Sequence, residues 1–323
     1  MGSPLPIEVR GLLRTFGDLT AVDGIDLIVE AGEVFGFLGP NGAGKSTTVR
    51  MLTTLLQPTA GIAKVAGYDV VADANKVRQS IGVALQDAAI DPLMTGTELL
   101  HLQAVLHGIK RRSVADRSAE MLERVGLTDA GDRRVGTYSG GMRRRLDLAL
   151  SLIHRPTVLF LDEPTTGLDP TSRQAVWEEV RALNNDGTTV FLTTQYLEEA
   201  DELAGRVAII DGGKIVRDGT PGQLKRAVGA PTLRVDVDAA QVEIARAALT
   251  AFGDERPAKV NRVAIGLEDG APVMTEVLRS LDAAGVVVHH LELDEPSLDD
   301  VFAEATGRRL EGASDAVADS PAR

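Results

Sequence analysis

Short apolar segments alternate with helical patterns over most of the chain. Five segments are rich in Val, Ile, Leu and Phe and are bounded by Gly, Asp or Pro, which is typical of strands buried on both faces of a parallel sheet. These predicted strands are Val34–Leu38, Ile81–Leu85, Val158–Leu161, Thr189–Thr193 and Val207–Ile210. The helices predicted between them by 3.6-residue spacing are Lys45–Leu56, Gly140–His154 and Ser172–Leu183. The alternation predicts an α/β fold with helices on both faces of the sheet.

The pattern changes in two places. Between Ile90 and Arg134 only helical periodicity remains, which predicts a helical insertion. After the breaker Gly229-Ala-Pro231 a smaller set of elements begins. Its predicted strands are Thr232–Asp236, Val260–Ile265 and Val286–Leu291, and its predicted helices are Ala239–Phe252, Val273–Ala284 and Ser297–Thr306.

These changes divide the chain into three predicted parts. Residues 1–228 form a large α/β domain, with a helical subdomain at about residues 87–155. Residues 229–308 form a small C-terminal α/β domain. We expect residues 309–323 to be disordered, because they are mostly Ala, Ser and Asp and offer almost nothing to bury.

Composition and charge exclude several classes of protein. The chain has 323 residues and a net charge of −13, which argues against a protein that binds nucleic acid through its phosphates. Most of that charge lies in residues 231–323, which hold 9 basic and 18 acidic side chains. The chain has no cysteine, no apolar run near 20 residues and no secretory signal. We therefore expect an acidic, soluble, intracellular protein.

Residues 39–46 read Gly-Pro-Asn-Gly-Ala-Gly-Lys-Ser and satisfy the phosphate-loop pattern G-x-x-x-x-G-K-[ST]. A predicted strand precedes the pattern and a predicted helix follows it, which disfavours a glycine turn that binds nothing. Backbone N–H groups can turn toward phosphates, Lys45 can reach the β- and γ-phosphates, and the Ser46 hydroxyl can bind Mg²⁺. The predicted nucleotide-binding residues of this loop are Gly39, Pro40, Asn41, Gly42, Ala43, Gly44, Lys45, Ser46 and Thr47.

Two carboxylates follow the predicted strand Val158–Leu161. Asp162 at the strand end can hold a water of the Mg²⁺ shell, as the second acidic position of phosphate-loop enzymes does. Glu163 can orient and partly deprotonate a water that faces the γ-phosphate. Alone, such a pair would more often be solvated. Together with the loop, it predicts catalysis by Glu163 and Lys45.

A second predicted anion site lies at Tyr138-Ser-Gly-Gly-Met142. Ser139 is a good helix N-cap, and Gly140 and Gly141 expose backbone N–H groups at a positive helix end. A fold with one nucleotide pocket needs a second donor cluster only if that cluster serves the nucleotide of another copy. In this order the motifs closely resemble those of an ATP-binding subunit of an ABC transporter, over about residues 5–228.

The resemblance implies further roles. Phe16 matches the aromatic that stacks on adenine, and Gln86 matches the glutamine that contacts Mg²⁺ and senses the membrane subunit. Gly167-Leu168-Asp169 matches a loop that communicates across the dimer. ATP would then lie between Gly39–Thr47 of one copy and Ser139–Gly141 of another. The resemblance also implies a separate membrane permease and a peripheral position on the cytoplasmic face of the membrane.

Two positions depart from the family pattern. Met142 replaces a glutamine or similar polar residue, and Gln195 replaces the histidine that contacts the γ-phosphate. A glutamine can donate a hydrogen bond but cannot become cationic or carry a proton. We count Gln195 among the predicted catalytic residues and expect ATP binding to survive while hydrolysis is slower.

Finer features resemble the drug-exporting branch typified by daunorubicin and doxorubicin resistance ATPases. They are the run from Tyr138 to Arg145, the segment from Thr193 to Asp201, and a C-terminal extension that ends in Glu295-Pro-Ser-Leu-Asp-Asp-Val-Phe302. The alternatives are a soluble ABC-type ATPase, a low-turnover ATP switch and an importer subunit. We expect Arg143–Arg145 to form a solvated helix face, with contacts to an acidic partner or nucleotide as the alternative. We expect the C-terminal domain to support dimerisation or docking, and His289-His290 to be structural.

Overall fold

The computed structural model describes residues 5–85, 90–258, 261–267 and 271–307. The predictions for Gln86, for residues 87–89 and for the tail at 309–323 lie outside the described residues. The chain divides into two compact units, one ending at Pro221 and one beginning at Gly222.

The first unit contains most of the regular elements. In chain order they are β1 (Ile7–Phe16), β2 (Leu19–Val29), β3 (Val34–Leu38), α1 (Lys45–Leu52), β4 (Ala60–Val65), β5 (Tyr68–Asp69), α2 (Ala74–Ser80), β6 (Ile81–Ala84), α3 (Gly96–Leu106), α4 (Arg111–Arg124), α5 (Gly140–Leu152), β7 (Val158–Asp162), α6 (Pro170–Asn185), β8 (Thr189–Thr194), α7 (Leu197–Leu203), β9 (Arg206–Asp211) and β10 (Lys214–Gly219). The elements that follow are α8 (Pro221–Val228), β11 (Thr232–Val237), α9 (Val242–Leu249), β12 (Glu255–Arg256), β13 (Arg262–Gly266), α10 (Met274–Ala283), β14 (Val288–Asp294) and α11 (Leu298–Thr306).

A six-stranded sheet lies at the centre of the first unit, in the order β10-β9-β3-β8-β7-β6. Strands β9, β3, β8, β7 and β6 pair in parallel, and β10 is antiparallel at the edge. Every residue of β3, β7 and β8 is buried, which explains their nearly continuous apolar sequences. The predicted α/β class is confirmed, and all five predicted strands belong to this sheet.

The two faces of the central sheet are covered differently. On one face, Leu159 and Leu161 pack in a core shared with helices α5 and α6. On the other face, Phe160 and Phe191 pack in a core shared with α1, β1 and β2. The strands β1 and β2 belong to a second, antiparallel sheet in the order β2-β1-β4-β5, which the sequence patterns did not predict.

Local backbone chemistry moves two helix ends away from the predicted positions. Helix α1 ends at Leu52, earlier than predicted, because Thr54 adopts a left-handed φ of 67°. Helix α6 begins at Pro170, earlier than predicted, because the Asp169 carboxylate accepts the Ser172 N–H at 3.0 Å as an N-cap. Proline at the first helical position completes this start.

The helical insertion is present between β6 and β7. Helices α3, α4 and α5 pack in one core through residues such as Leu100, Met121 and Leu146. A capping box fixes the start of α3, since Thr95 and Glu98 each accept the backbone N–H of the other. One isolated bridge, Thr95 with Arg134, is the strand-like pairing recorded inside this region.

The second unit is built on an antiparallel sheet in the order β12-β13-β11-β14. Alternate residues of β11 are buried, as expected for a sheet with one covered face. Helices α9 and α10 cover that face through Leu249, Val277 and Leu281, which share one apolar core with the sheet. No helix among the described residues is both long and apolar enough to cross a membrane.

Candidate functional site

Three neighbouring parallel strands end together at one edge of the central sheet. The last residues of β3 and β8 lie side by side, and Asp162 at the end of β7 lies beside Thr193. The segments that follow these strands begin with Gly39, Gln195 and Glu163. Ligands of open α/β sheets bind at this carboxyl edge. The predicted phosphate loop, the two carboxylates and Gln195 therefore follow strands that are neighbours in the sheet.

Steric limits require glycine at three positions of the loop after β3. A Cβ atom on Gly39 would lie 2.3 Å from the Ile210 carbonyl oxygen, and one on Gly44 would lie 2.5 Å from the Ala21 carbonyl oxygen. Gly42 and Gly44 also have left-handed φ values of 80° and 110°. The loop therefore packs backbone against backbone at the start of α1, where free N–H groups favour an anion.

Lys45 is a buried cation inside this loop. Its side chain is 4% exposed, and its Nζ donates to the carbonyl oxygens of Gly39 at 2.7 Å and Pro40 at 3.2 Å. The same Nζ lies 3.4 Å from Oε1 of Glu163. Burial lowers the pKa of Lys45, and the Glu163 carboxylate opposes that shift. The loop thus holds a desolvated ammonium that can pair with phosphate.

Two oxygen donors meet beside the lysine. The Ser46 hydroxyl at the start of α1 donates to Oδ1 of Asp162 at 3.3 Å, and the Thr193 hydroxyl donates to the same atom. Asp162 is 5% exposed. A hydroxyl at a helix start and a carboxylate at a strand end are oxygen ligands of the kind that a hard cation prefers.

Glu163 is held in a strained backbone conformation. Its φ is 49°, which is uncommon for a residue with a side chain. Its N–H donates to the carbonyl oxygen of Thr193 at 3.0 Å and to the Thr193 hydroxyl at 3.2 Å. The Thr166 hydroxyl donates to its Oε2 at 3.3 Å. Strain of this kind persists where surrounding contacts determine it, and here it fixes a carboxylate beside Lys45.

Phe16 is the last residue of β1, in the β1–β2 hairpin. Its ring is 44% exposed, and the Arg14 guanidinium carbon lies 4.4 Å from the ring centroid. The return strand passes close to the loop, because the Ala21 carbonyl limits the space beside Gly44. An accessible aromatic face near the loop suits stacking on a planar base.

The second predicted anion site opens helix α5. The Ser139 hydroxyl accepts the Met142 N–H at 3.2 Å, and Ser139 and Gly140 are exposed. A Cβ on Gly141 would lie 2.6 Å from Oγ of Ser172, so glycine is needed there for packing. Among the described residues, no recorded hydrogen bond joins Ser139–Gly141 to residues 39–47 of the same chain.

For the remaining predicted residues the structure gives fewer contacts. Gln195 is half-buried directly after β8, and Gln86 lies outside the described residues. In the predicted communicating loop, Gly167 has a φ of 76° and Asp169 caps α6. Hydrogen bonds from Ser172 hold the pKa of Asp169 below its usual range.

The arginine run does not form a solvated helix face throughout, so that prediction is wrong for Arg144 and Arg145, which are both half-buried. Arg143 is exposed, but the Arg144 side chain is 12% exposed and donates to backbone carbonyls beside the site. Arg145 donates to the carbonyl oxygen of Val125 at 2.9 Å, at the end of α4. A one-dimensional charge run cannot show which of its members faces the sheet.

One further buried residue was not predicted. Glu199 on α7 is fully buried, and its Oε1 accepts the Thr165 hydroxyl at 2.8 Å and the Trp177 indole N–H at 3.0 Å. Burial raises its pKa. The available signal was its place one helical turn before Leu203, on the apolar side of α7.

A phosphate loop, an acidic strand end and a capped glycine helix around this sheet define an ATPase of the ATP-binding-cassette class. The family model described as ABC transporter matches residues 22–166. A second model, described as the C-terminal domain of DrrA1-3-like ATP-binding proteins, matches residues 219–306.

Curated relatives match almost the whole chain. The daunorubicin resistance ATP-binding protein DrrA2 of Streptomyces coeruleorubidus is 50% identical over 94% of this chain and 96% of its own length. The daunorubicin/doxorubicin resistance ATP-binding protein DrrA of Streptomyces peucetius is 46% identical over 93% of this chain and 92% of its own. The linearmycin resistance ATP-binding protein LnrL of Bacillus subtilis is 35% identical over 94% and 99%. The chain therefore belongs to the DrrA-type ATP-binding proteins of ABC transporters, and it binds and hydrolyses ATP.

Solved structures share the fold of the first unit. The cbiO1 component of a Clostridium perfringens ABC transporter covers 70% of this chain and 93% of its own, at 25% identity and a TM-score of 0.64. The ATP-binding cassette MJ0796, solved as a dimer with ADP and Pi, covers 66% and 98%, at 23% identity and a TM-score of 0.61.

Proposed function

We propose that the chain is the ATP-hydrolysing subunit of an export system that moves a drug-like or lipophilic compound through a separate membrane permease. The observation that carries the ATPase is the buried Glu163 carboxylate beside Lys45 at the end of the phosphate loop. The observation that supports export is the near full-length similarity to proteins named for resistance to daunorubicin, doxorubicin and linearmycin.

In the proposed reaction the loop 39–47 holds the phosphates through its N–H groups. Lys45 leaves the carbonyl oxygens of Gly39 and Pro40 and pairs with the β- and γ-phosphates. Glu163 accepts a hydrogen bond from the attacking water and draws off part of its positive charge as the water attacks the γ-phosphorus. The bond from the γ-phosphorus to the bridging oxygen breaks, and that oxygen leaves with ADP. Phe16 stacks on adenine.

Mg²⁺ fits the donors at this site. Ser46 and Asp162 supply a hydroxyl and a carboxylate oxygen only 3.3 Å apart, and Gln86 would complete the protein ligands. When bound, the ion neutralises charge on the phosphate oxygens. The chain's own contribution is to hold Asp162 in place through the Thr193 hydroxyl.

The exposed start of α5 supports a head-to-tail homodimer. Ser139 and Gly140 present donors to solvent rather than to residues 39–47 of the same chain. In the proposed dimer each ATP lies between Gly39–Thr47 of one copy and Ser139–Gly141 of the other. Closure on the γ-phosphate and reopening after hydrolysis drive the permease at the cytoplasmic face of the membrane.

The first test is transport. Full-length chain and its membrane partner are produced together, and ATP-dependent accumulation of an anthracycline is measured in inside-out vesicles. We expect accumulation with the wild type and none with Glu163→Gln. Phosphate release by the wild type with no transport of any lipophilic drug offered would contradict the export function but retain the ATPase.

A second test addresses Gln195. We expect Gln195→His, assembled with the membrane partner, to increase the rate of phosphate release, because histidine can carry positive charge to the γ-phosphate. An unchanged rate would contradict a role for this residue in limiting turnover. Absence of phosphate release from both proteins would favour an ATP switch without turnover.

A further inference from the structure

The Arg144 guanidinium connects three segments of the first unit. Nε donates to the carbonyl oxygen of Pro164 at 2.8 Å, and Nη2 donates to that of Asp162 at 3.1 Å. Nη1 donates to the carbonyl oxygen of Leu85 at 2.8 Å. Arg144 itself lies on α5, one turn after the exposed start of that helix.

Two of these carbonyl groups flank the carboxylate beside the phosphate loop. Asp162 precedes Glu163 and Pro164 follows it, so one side chain holds the carbonyl groups of both neighbours of Glu163. One belongs to the peptide group that leads into Glu163, and the other to the peptide group that follows Pro164. Because Glu163 has a left-handed φ of 49°, its orientation depends on such outside contacts. The third carbonyl belongs to the last described residue before Gln86.

The planar fork of arginine suits this arrangement. Its N–H groups lie on three nitrogen atoms in one plane and can reach carbonyl groups that are far apart, whereas the three N–H groups of an ammonium share one nitrogen atom. On α5 itself, Oδ2 of Asp147 lies 3.2 Å from Nη1 and forms an ion pair with the guanidinium. Burial raises the pKa of Asp147 to about 6, while Arg144 lowers it.

We propose that Arg144 is a positioning residue that couples the start of α5 to the catalytic Glu163 of the same chain. The inference rests on the proposed function, in which the start of α5 contacts the ATP held by the other copy. A movement of α5 carries the guanidinium with it and shifts the carbonyl groups of Asp162 and Pro164, and with them the backbone of Glu163 between them. Engagement of one nucleotide at Ser139–Gly141 therefore sets the carboxylate that hydrolyses the other.

The test variant is Arg144→Lys in the full-length chain, which keeps the charge and loses the fork. We expect kcat for ATP hydrolysis to fall about ten- to hundredfold, because small misplacements of catalytic groups cost this much. The KM for ATP should stay within about twofold, because the hydrogen bonds of Arg144 within the described part of the chain go to Leu85, Asp147, Asp162 and Pro164 rather than to residues 39–47. The matched control is Arg145→Lys, which alters the contact with Val125 and should lower thermal stability but not kcat.

A double variant separates positioning from general damage. When Glu163→Gln is already present, adding Arg144→Lys should cause no further loss of rate, because the positioned group is gone. Additive losses would overturn the proposal, as would a wild-type kcat for Arg144→Lys or an equal loss of kcat for Arg145→Lys. If Arg144→Lys does not fold, Asp147→Asn decides: a lower kcat at unchanged KM supports the proposal, and an unchanged kcat overturns it.

The outcome also separates this inference from the proposed function. Wild-type protein that hydrolyses no ATP, with or without its membrane partner, contradicts the proposed function. Wild-type protein that hydrolyses ATP beside an equally active Arg144→Lys variant contradicts only the positioning role.

Discussion

The interiors of the two units contain different kinds of side chain. Among its described residues, the first unit buries five side chains that carry a carboxylate or ammonium group, which are Lys45, Asp147, Asp162, Glu163 and Glu199. The described residues that are buried in the second unit are apolar apart from backbone groups. Its charged pairs, such as Arg262 with Asp236, lie at the surface.

This contrast shows where chemistry is possible in the chain. Burying a charge costs free energy unless partners compensate, so buried charges concentrate where position matters more than stability. The first unit supplies those partners through strand ends, loop carbonyls and Arg144. We therefore still predict that the second unit contributes through its surface, in dimerisation or docking, and that its apolar interior contributes to stability.

The largest expected effect is the loss of hydrolysis in the first unit. Glu163→Gln should lower kcat by about a hundred- to ten-thousandfold, because the amide cannot accept a proton from water. ATP binding should remain, because Lys45 and the loop are unchanged. Phosphate release and ATP titration measure the two quantities.

Glu198→Gln is the matched control, since Glu198 is exposed and carries the same charge. Its kcat should equal that of the wild type. An active Glu163→Gln variant would remove the main chemical difference between the units.

The second effect concerns the apolar core of the second unit. Leu249 on α9 is fully buried, and Leu249→Ala should lower the free energy of unfolding by about 2–4 kcal/mol. Chemical denaturation measures the loss. Intrinsic kcat should be unchanged, because no polar group of that core takes part in chemistry.

Ile244→Ala on the same helix is the control, because Ile244 is 47% exposed. The free energy of unfolding of the Ile244→Ala variant should fall by less than about 1 kcal/mol. Equal losses for both variants would mean that burial does not set the stability of this unit.

The third effect is a pH dependence at a cavity of about 470 Å³ in the first unit, lined by Asp147 and His154 among others. The His154 ring stacks on His107 with centroids 3.8 Å apart. Burial, with smaller contributions from His107 and Arg117, lowers the pKa of His154 to about 4. Because this pKa is depressed on folding, the stability that depends on neutral His154 is present above about pH 6.5 and is lost toward pH 4.

The destabilisation caused by His154→Gln should therefore be smaller by about 2 kcal/mol at about pH 4.5 than at about pH 7.5. Denaturation of both proteins at the two values measures this difference. The effect of Asp147 on the pH dependence of stability has the opposite sign. Its raised pKa gives stability that is present at low pH and is lost as pH rises through about 6. Asp147→Asn should therefore make the loss of stability on acidification steeper, and parallel pH profiles for all three proteins would contradict both assignments.

The smallest expected effect is at a surface ion pair of the second unit. Arg262 donates to both carboxylate oxygens of Asp236, which holds the pKa of that carboxyl low. Arg262→Ala should lower the free energy of unfolding by less than about 1 kcal/mol, as measured by chemical denaturation. Added salt should reduce this loss, because solvent and ions screen the pair. A larger, salt-independent loss would show that this pair behaves like the buried charges of the first unit.

Part of the fold was readable from the chain because its signals are local. Val34–Leu38 and Val158–Asp162 are strands buried on both faces, so each is a continuous apolar run. The antiparallel sheet was missed although β2 alternates buried and exposed residues around Ile25 and Leu27. Polar residues interrupt its pattern, and its pairing with β1 is a long-range property.

The sequence by itself determined the chemistry at the strand ends. Gly39–Ser46, Asp162-Glu163 and Ser139–Gly141 are contiguous motifs, and their backbone demands and side-chain donors are fixed by residue type and spacing. Only the tertiary structure decided which distant groups hold them. Arg144 donates to carbonyl groups of two other segments, and Glu199 accepts the hydroxyl of Thr165 in the turn after β7. The physical reason is that the Arg144 contacts use backbone oxygens, which every residue carries, and that the Glu199 contacts join side chains far apart in the sequence. Only the folded chain brings these groups within reach.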